Sequence, residues 1–153
     1  QFKFSVGAVM SLFHDVIIII GMFALFQWEF DLTVMAALLA VIGYSLNDTI
    51  VVDDRIRENF RILREGDSTY VINESLTQTL DRTLMTSATT ALVVLALMLF
   101  GGDMIHNFSV AMMIGLVVGT YSSIYISANI LLAMNISRED LMPPELEEID
   151  DRP

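Results

Sequence analysis

Four apolar runs, each long enough to cross a bilayer, constrain this chain more than any other feature. A helix of about 20 apolar residues crosses the hydrocarbon core while satisfying its own backbone hydrogen bonds. Hydrophobic residues make up 54% of the 153 residues, above the roughly 45–50% of soluble domains. The sequence predicts an all-α membrane protein, a bundle of four transmembrane helices. The predicted spans are residues 5–26, 32–52, 83–100 and 108–134.

The connection between the second and third spans, residues 53–82, is polar and long enough for helices of its own. Apolar residues recur in it at helical spacing. Gly66 is a candidate stop, with Asp67 or Ser68 as a new N-cap. We therefore expect short cytoplasmic amphipathic helices here, either lying on the lipid surface or forming a lever that docks on a partner protein.

The basic residues predict the orientation of the bundle. If the four spans alternate, these bases fall on one side: Lys3, Arg55, Arg57, Arg61, Arg64, Arg82 and Arg138. The short turns on the other side carry none. By the positive-inside rule, both ends of the chain and the long connection are cytoplasmic. The net charge of −11 does not oppose this prediction, because acids contribute little to the rule.

The two ends of the chain also carry information. Residues 136–153 contain seven acids between Glu139 and Asp151, and we expect them to form a disordered acidic cytoplasmic tail. The chain begins at Gln1 without an initiator Met or a signal sequence, so we expect a piece of a longer protein. It has no cysteine, which excludes disulfides and thiolate metal sites.

Asp48, inside the second span, is the leading candidate for a functional residue. A carboxylate in a membrane costs about 2.5–3.5 kcal/mol on insertion scales, so it usually faces a polar cavity or a partner. We predict that Asp48 handles protons, supported by the adjacent Asn47. The alternative is a carboxylate that snorkels to the membrane interface or caps a frayed helix end beside Arg55. A face of small residues borders Asp48 and predicts close approach of another helix. That face comprises Ala36, Ala40, Gly43 and Asn47.

Three further residues could assist Asp48. His14 and Asp15 lie in the first span at a comparable depth, as a proton relay or as a fixed interhelical hydrogen bond. Arg82 begins the third span, where it could pair with Asp48 or bind lipid phosphate as an interfacial anchor. No spacing resembles a metal-ligand cluster, since His106 lies in an exterior turn. We expect neither a metal nor another cofactor.

Two patterns predict helix packing. Small residues recur at a strict spacing of four in the fourth span, and their partner lies within this bundle or in another subunit. They are Ala111, Gly115, Gly119, Ser123 and Ser127. The first half of the third span is rich in hydroxyl groups that should face protein or water: Thr83, Thr86, Ser87, Thr89 and Thr90.

Several motifs together resemble the SecF branch of the SecD/SecF family of bacterial protein-export membrane proteins. They are GYSLNDTIVV from Gly43, DRIRENF from Asp54, SLTQTLDRTLMTS from Ser75 and GTYSSIYIS from Gly119, with HDV at His14 and FGG at Phe100. The resemblance covers nearly the whole chain. Such chains have six spans and a periplasmic domain between the first two, so this sequence resembles their last four spans plus the tail.

The resemblance implies a function and a set of partners. It implies a pseudo-symmetric complex with SecD, in the resistance-nodulation-division (RND) superfamily, in the bacterial inner membrane. That complex works beside the SecYEG channel after the SecA motor, and uses the proton-motive force to complete preprotein export. The family's intramembrane aspartate and arginine correspond to Asp48 and Arg82. At Asp53 the sequence departs from the family, where Phe or Ser is expected.

The same residues are compatible with other functions. A proton-coupled small-molecule transporter of the RND superfamily is the main alternative, although it needs large exterior domains. An intramembrane aspartyl protease could use Asp15 and Asp48, but the sequence lacks a GxGD element. A structural scaffold would use the polar residues only for packing. We expect no enzyme activity and no nucleic-acid partner, and contact with membrane lipid.

Overall fold

The fold is an up-and-down bundle of long helices. The structure, a computed structural model, describes residues 2–63 and 67–136. Within that part it contains helices and no strand. They are α1 (Phe2–Phe26), α2 (Leu32–Ile62), α3 (Ser68–Phe100), α4 (Asp103–Tyr121), a π-helical segment (Ser122–Ile126) and α5 (Ser127–Ala133). The last three form one continuous span, and the described residues hold four helices long and apolar enough to cross a membrane. The predicted fold class is confirmed.

Two of the predicted helix ends coincide with helix ends in the structure, the start of α3 after Asp67 and its end at Phe100. Asp67 is the N-cap of α3 and accepts a hydrogen bond from the backbone N–H of Ser68 at 2.8 Å. The same helix ends at Phe100, with Gly101 as its C-cap. The predicted stop at Gly66 and the acidic tail after residue 136 lie outside the described residues.

The two short turns lie together at one end of the bundle. Asp31 caps α2 by accepting hydrogen bonds from the Thr33 hydroxyl at 2.7 Å and the Val34 backbone N–H at 2.9 Å. These bonds favour the ionised carboxylate, so they lower the pKa of Asp31. The Asn107 side chain donates to the Glu29 carbonyl at 3.4 Å, which joins the α1–α2 turn to the start of α4.

The amphipathic stretches of residues 53–82 are not separate helices. They continue the spans, because α2 runs unbroken to Ile62 and α3 begins at Ser68. Their apolar faces pack against each other, with Ile56 buried in the same cluster as Ile72. The interpretation of a helix lying on the lipid surface is therefore wrong, since that face is covered within the chain. A lever that docks on a partner stays a prediction.

The stripe of small residues on the fourth span packs along α2. A Cβ added to Gly115 would overlap the Val41 side chain, and one added to Gly119 would lie 3.4 Å from the Ser45 Cβ. The facing row on α2 also repeats every four residues and is buried at each position: Ala37, Val41, Ser45, Thr49 and Asp53. Small residues on one helix therefore let α2 and α4 approach closely over several turns.

Replacing Gly115 with Ala tests this close approach. The new methyl group must displace Val41, and overpacking of this kind typically costs about 1–3 kcal/mol. We expect the purified protein in detergent to unfold at a lower temperature. The matched control is Gly21→Ala, because a Cβ at Gly21 meets no atom within 4 Å. Equal melting temperatures for the two variants would contradict the packing described here.

Candidate functional site

Asp15 is buried at the meeting point of three helices. Its side chain is 1% exposed. One carboxylate oxygen, Oδ2, accepts a hydrogen bond from the Ser45 hydroxyl of α2 at 2.7 Å. The other, Oδ1, lies 3.2 Å from Nδ1 of the half-buried His14. A Cβ on Gly119 of α4 would lie 3.6 Å from Oδ2. In this buried position, the Ser45 hydroxyl and the His14 imidazole take the place of the water that would surround an exposed carboxylate.

Asp48 is also buried, but it faces α3. Its carboxylate lies against the buried Thr83 hydroxyl and in the electrostatic field of Arg82. In the described part of the chain, neither Asp48 Oδ2 nor Thr83 Oγ1 has a hydrogen-bond partner. No direct ion pair joins Asp48 to Arg82 there, and Arg82 is exposed. The structure thus brings the two predicted residues to one level of the bundle without direct contact.

The alternative role for Asp48, capping a frayed helix end beside Arg55, does not fit this arrangement. The helix continues to Ile62, fourteen residues beyond Asp48. Arg55 donates instead to Gln78 at 2.7 Å and pairs with Glu58 on its own helix. Asp48 therefore sits in the middle of α2 and not at its end.

Hydroxyl groups connect α2, α3 and α4 one turn from Asp48. Ser87 of α3 lies 3.0 Å from the Tyr44 hydroxyl and 2.7 Å from the Thr120 hydroxyl. Thr83 and Ser87 face the interior, as the hydroxyl-rich half-span predicts. Thr86 and Thr89 lie on the exposed side, where each donates to a carbonyl of its own helix.

A third buried carboxylate, Asp53, lies on the other side of α2 and is 5% exposed. It accepts a hydrogen bond from the Ser127 hydroxyl of α5 at 3.4 Å. Arg57, one turn further on, is the charged residue that faces it. The Arg57 guanidinium lies 4.4 Å from the centre of the Phe4 ring, a cation–π contact. The three carboxylates thus meet different neighbours, and Asp15 and Asp48 do not form the adjacent pair of an aspartyl protease.

Asn47, predicted to support Asp48, points away from this interior. It lies on the exposed side of α2 together with the rest of the small-residue face. At Gly43, an added Cβ would meet no atom within 4 Å. The close approach expected at this face is therefore not made by any described helix of this chain.

Sequence reasoning missed two residues of this interior. Ser45 holds Asp15, and Ser11 is a fully buried hydroxyl without a hydrogen-bond partner among residues 2–63 and 67–136. The spacing of both residues from predicted site residues could have identified them. Ser45 precedes Asp48 by three residues and Ser11 precedes Asp15 by four, so each shares a helix face with a predicted residue.

The fold and site define a polytopic membrane protein with ionisable groups buried between its helices. Comparison with known proteins makes this class specific. The family model described as "Protein export membrane protein SecD/SecF, C-terminal" matches residues 1–137. The chain belongs to the SecD/SecF family.

Individual relatives agree with the family match. "Protein translocase subunit SecF" of Pseudomonas aeruginosa is 54% identical over the whole chain, and that of Escherichia coli O157:H7 is 50% identical over 97% of it. The chain spans 50% and 46% of those two proteins. The crystal structure of SecDF from Thermus thermophilus, titled a translocon-associated membrane protein, matches with a TM-score of 0.84 at 46% identity. That match covers 88% of this chain and 19% of the other.

Removing the Ser45 hydroxyl tests its role in holding Asp15. Ser45→Ala leaves a buried carboxylate oxygen without its donor, and such a loss costs about 1–3 kcal/mol. We expect a clear drop in the melting temperature of the purified protein. Ser109→Ala is the matched control, because the equally buried Ser109 hydroxyl donates only to the Ile105 carbonyl of its own helix. An equal effect of both substitutions would count against a specific role for Ser45.

Proposed function

We propose that this chain is the C-terminal membrane part of a SecF-type subunit of the bacterial Sec protein translocase. In this proposal it lies in the inner membrane and uses the proton-motive force to help complete preprotein export. The observation that carries the proposal is Asp48, a carboxylate buried between α2 and α3 beside the unpartnered Thr83 hydroxyl. The proteins it resembles are named as translocase subunits, which supports the same conclusion.

The proposed mechanism is a change of charge at Asp48. When ionised, the carboxylate attracts Arg82 across the gap between the two helices. When it binds a proton, that attraction ends and α3 is free to shift against α2. One elementary charge moving across the membrane potential is worth about 2.3 kcal/mol per 100 mV. This energy is enough to bias a helix bundle with two arrangements.

Asp15 and His14 would assist at a second level of the bundle. The His14 imidazole contacts the Asp15 carboxylate. Ser45 links this pair to α2, the helix that carries Asp48. In the proposal, binding of a proton to Asp15 would therefore change the contacts of α2, the helix that also carries Asp48.

The proposed partners follow from the exposed face of α2 and from the predicted orientation of the bundle in the membrane. SecD would cover the exposed face of α2 that includes Gly43 and Asn47, which has no neighbour among the described helices. The basic residues support a cytoplasmic position for both ends of the chain. The SecYEG channel, the preprotein delivered by SecA, and membrane lipid would be the further partners. A small-molecule transporter of the RND superfamily would use the same carboxylate, and the substrate separates the two functions.

Replacing Asp48 with Asn tests the proposed function. The amide keeps the shape of the side chain but cannot bind and release a proton at physiological pH. In inner-membrane vesicles carrying the full-length protein, we expect normal expression and SecD binding, with loss of the export that depends on the proton-motive force. The control is Asp81→Asn, since Asp81 is an exposed carboxylate beside Arg82. Wild-type export by Asp48→Asn at full membrane potential would refute the proposal.

A further inference from the structure

A second set of buried polar groups lies where α2 meets α1 and the fourth span, apart from Thr83 of α3. It forms three layers, each with one residue from α1, one from α2 and one from the fourth span. The first layer is Asp15, Ser45 and Gly119, and the last is Gly7, Asp53 and Ser127. Between them lie Ser11, Thr49 and Ser123, four residues from each neighbour on their helices. All nine positions are buried.

Two hydrogen bonds fix the ends of this column. Ser45 bonds Asp15 at 2.7 Å in the first layer, and Ser127 bonds Asp53 at 3.4 Å in the last. A Cβ on Gly7 would lie 3.4 Å from the Ser127 hydroxyl, so α1 closes the column there. Ser45, which bonds Asp15, and Asp53 are eight residues apart along α2, so the first and last layers are separated by about 12 Å at 1.5 Å per residue.

Ser11 is the observation that points to a ligand in the middle layer. Its hydroxyl is fully buried and has no hydrogen-bond partner in the described part of the chain. It lies on the same face of α1 as Gly7 and Asp15, so it is directed into the column. Leaving such a hydroxyl unpaired destabilises the fold, and buried water is the usual partner of such groups. The middle layer is therefore a site for water.

We propose that this column is a second proton path, in which Asp53 exchanges protons at the basic end of the bundle and water held by Ser11 connects it to Asp15. The assignment of Asp53 rests on geometry that does not involve Asp48. Only the use of the path in export rests on the function proposed above.

The transfer balances as a simple proton relay. Asp53 takes a proton from water at the end of the bundle that carries Arg57 and becomes a neutral acid. It passes that proton to the water at Ser11, while the water gives one of its own to the Asp15 carboxylate. Among the described residues, the titratable or charged groups that face the two ends are Arg57 and His14. The facing positions Gly7, Gly119 and Ser127 do not titrate.

The competing interpretation is a permanent ion pair between Asp53 and Arg57, which stabilises α2 and carries no proton. The two interpretations differ in an observable quantity. A relay requires Asp53 to be protonated in part of the range from about pH 5 to pH 8, and a permanent pair requires it to stay ionised throughout.

Infrared spectroscopy of the full-length protein, in complex with its partner subunit in lipid, makes the distinction. A protonated carboxyl gives a C=O stretching band that a carboxylate lacks. We expect Asp53→Asn to abolish one such titrating band, and Asp53→Glu to restore it at a shifted frequency. The matched control is Asp54→Asn, because Asp54 is the adjacent but exposed carboxylate. This control should leave the band unchanged.

Ser11→Ala tests the water link separately. We expect the Asp53 band to remain, with slower proton exchange at Asp15 after a pH jump into D₂O. An Asp53→Asn spectrum identical to wild type, or wild-type exchange in Ser11→Ala, would overturn the proposal. The spectra do not depend on export. Normal export by Asp48→Asn would thus refute the proposed function and leave the Asp53 result standing.

Discussion

The close packing of α2 against the fourth span is the constraint on which the polar interior depends. Gly115 and Gly119 carry no side chain, so the Val41 and Ser45 positions of α2 can approach the backbone of α4. At that separation Asp15 reaches the Ser45 hydroxyl. A larger residue at these glycines would move the helices apart and leave a buried carboxylate oxygen without its hydroxyl donor, a loss of about 1–3 kcal/mol.

The same packing distributes the three carboxylates around α2. Asp48 and Asp53 are five residues apart on one helix, so their side chains point about 140° apart around the axis. One meets Thr83 of α3 and the other meets Ser127 of α5. Asp15, on α1, meets α2 at Ser45. Each charge is therefore partnered separately, and a proton added to one changes the contacts of a different helix pair.

Much of the fold could be predicted from the sequence, because it depends on local patterns. Apolar runs identified the four spans and the end of α3 at Phe100, and Asp67 identified the start of that helix. The sequence did not reveal that α2 continues to Ile62, because an amphipathic pattern is the same whether its apolar face meets lipid or another helix. That choice depends on residues far away in the chain, here Val71 and Ile72.

The site was less predictable for the same reason. A carboxylate in an apolar run identifies Asp48 by itself, but its neighbours come from other helices. Asn47 was predicted to support Asp48 because the two residues are adjacent in the sequence. Adjacent residues on a helix, however, point about 100° apart. Ser45 and Ser11 look like ordinary small residues until the register of three helices is known. The sequence showed that Asp53 differs from the residue expected in the family. Its structural role became clear only from its contact with Ser127.

The π-helical segment has a consequence for the phase of the fourth span. In a regular α-helix, Ser127 would lie about 80° around the axis from Gly119, since eight residues make two turns and a remainder. In the π-helical segment, the Ser127 N–H donates to the Ser122 carbonyl, five residues back. That wider turn absorbs one residue and reduces the offset to about 20°. A single irregular turn thus keeps Gly119 and Ser127 on one side of the helix, pointed at α2.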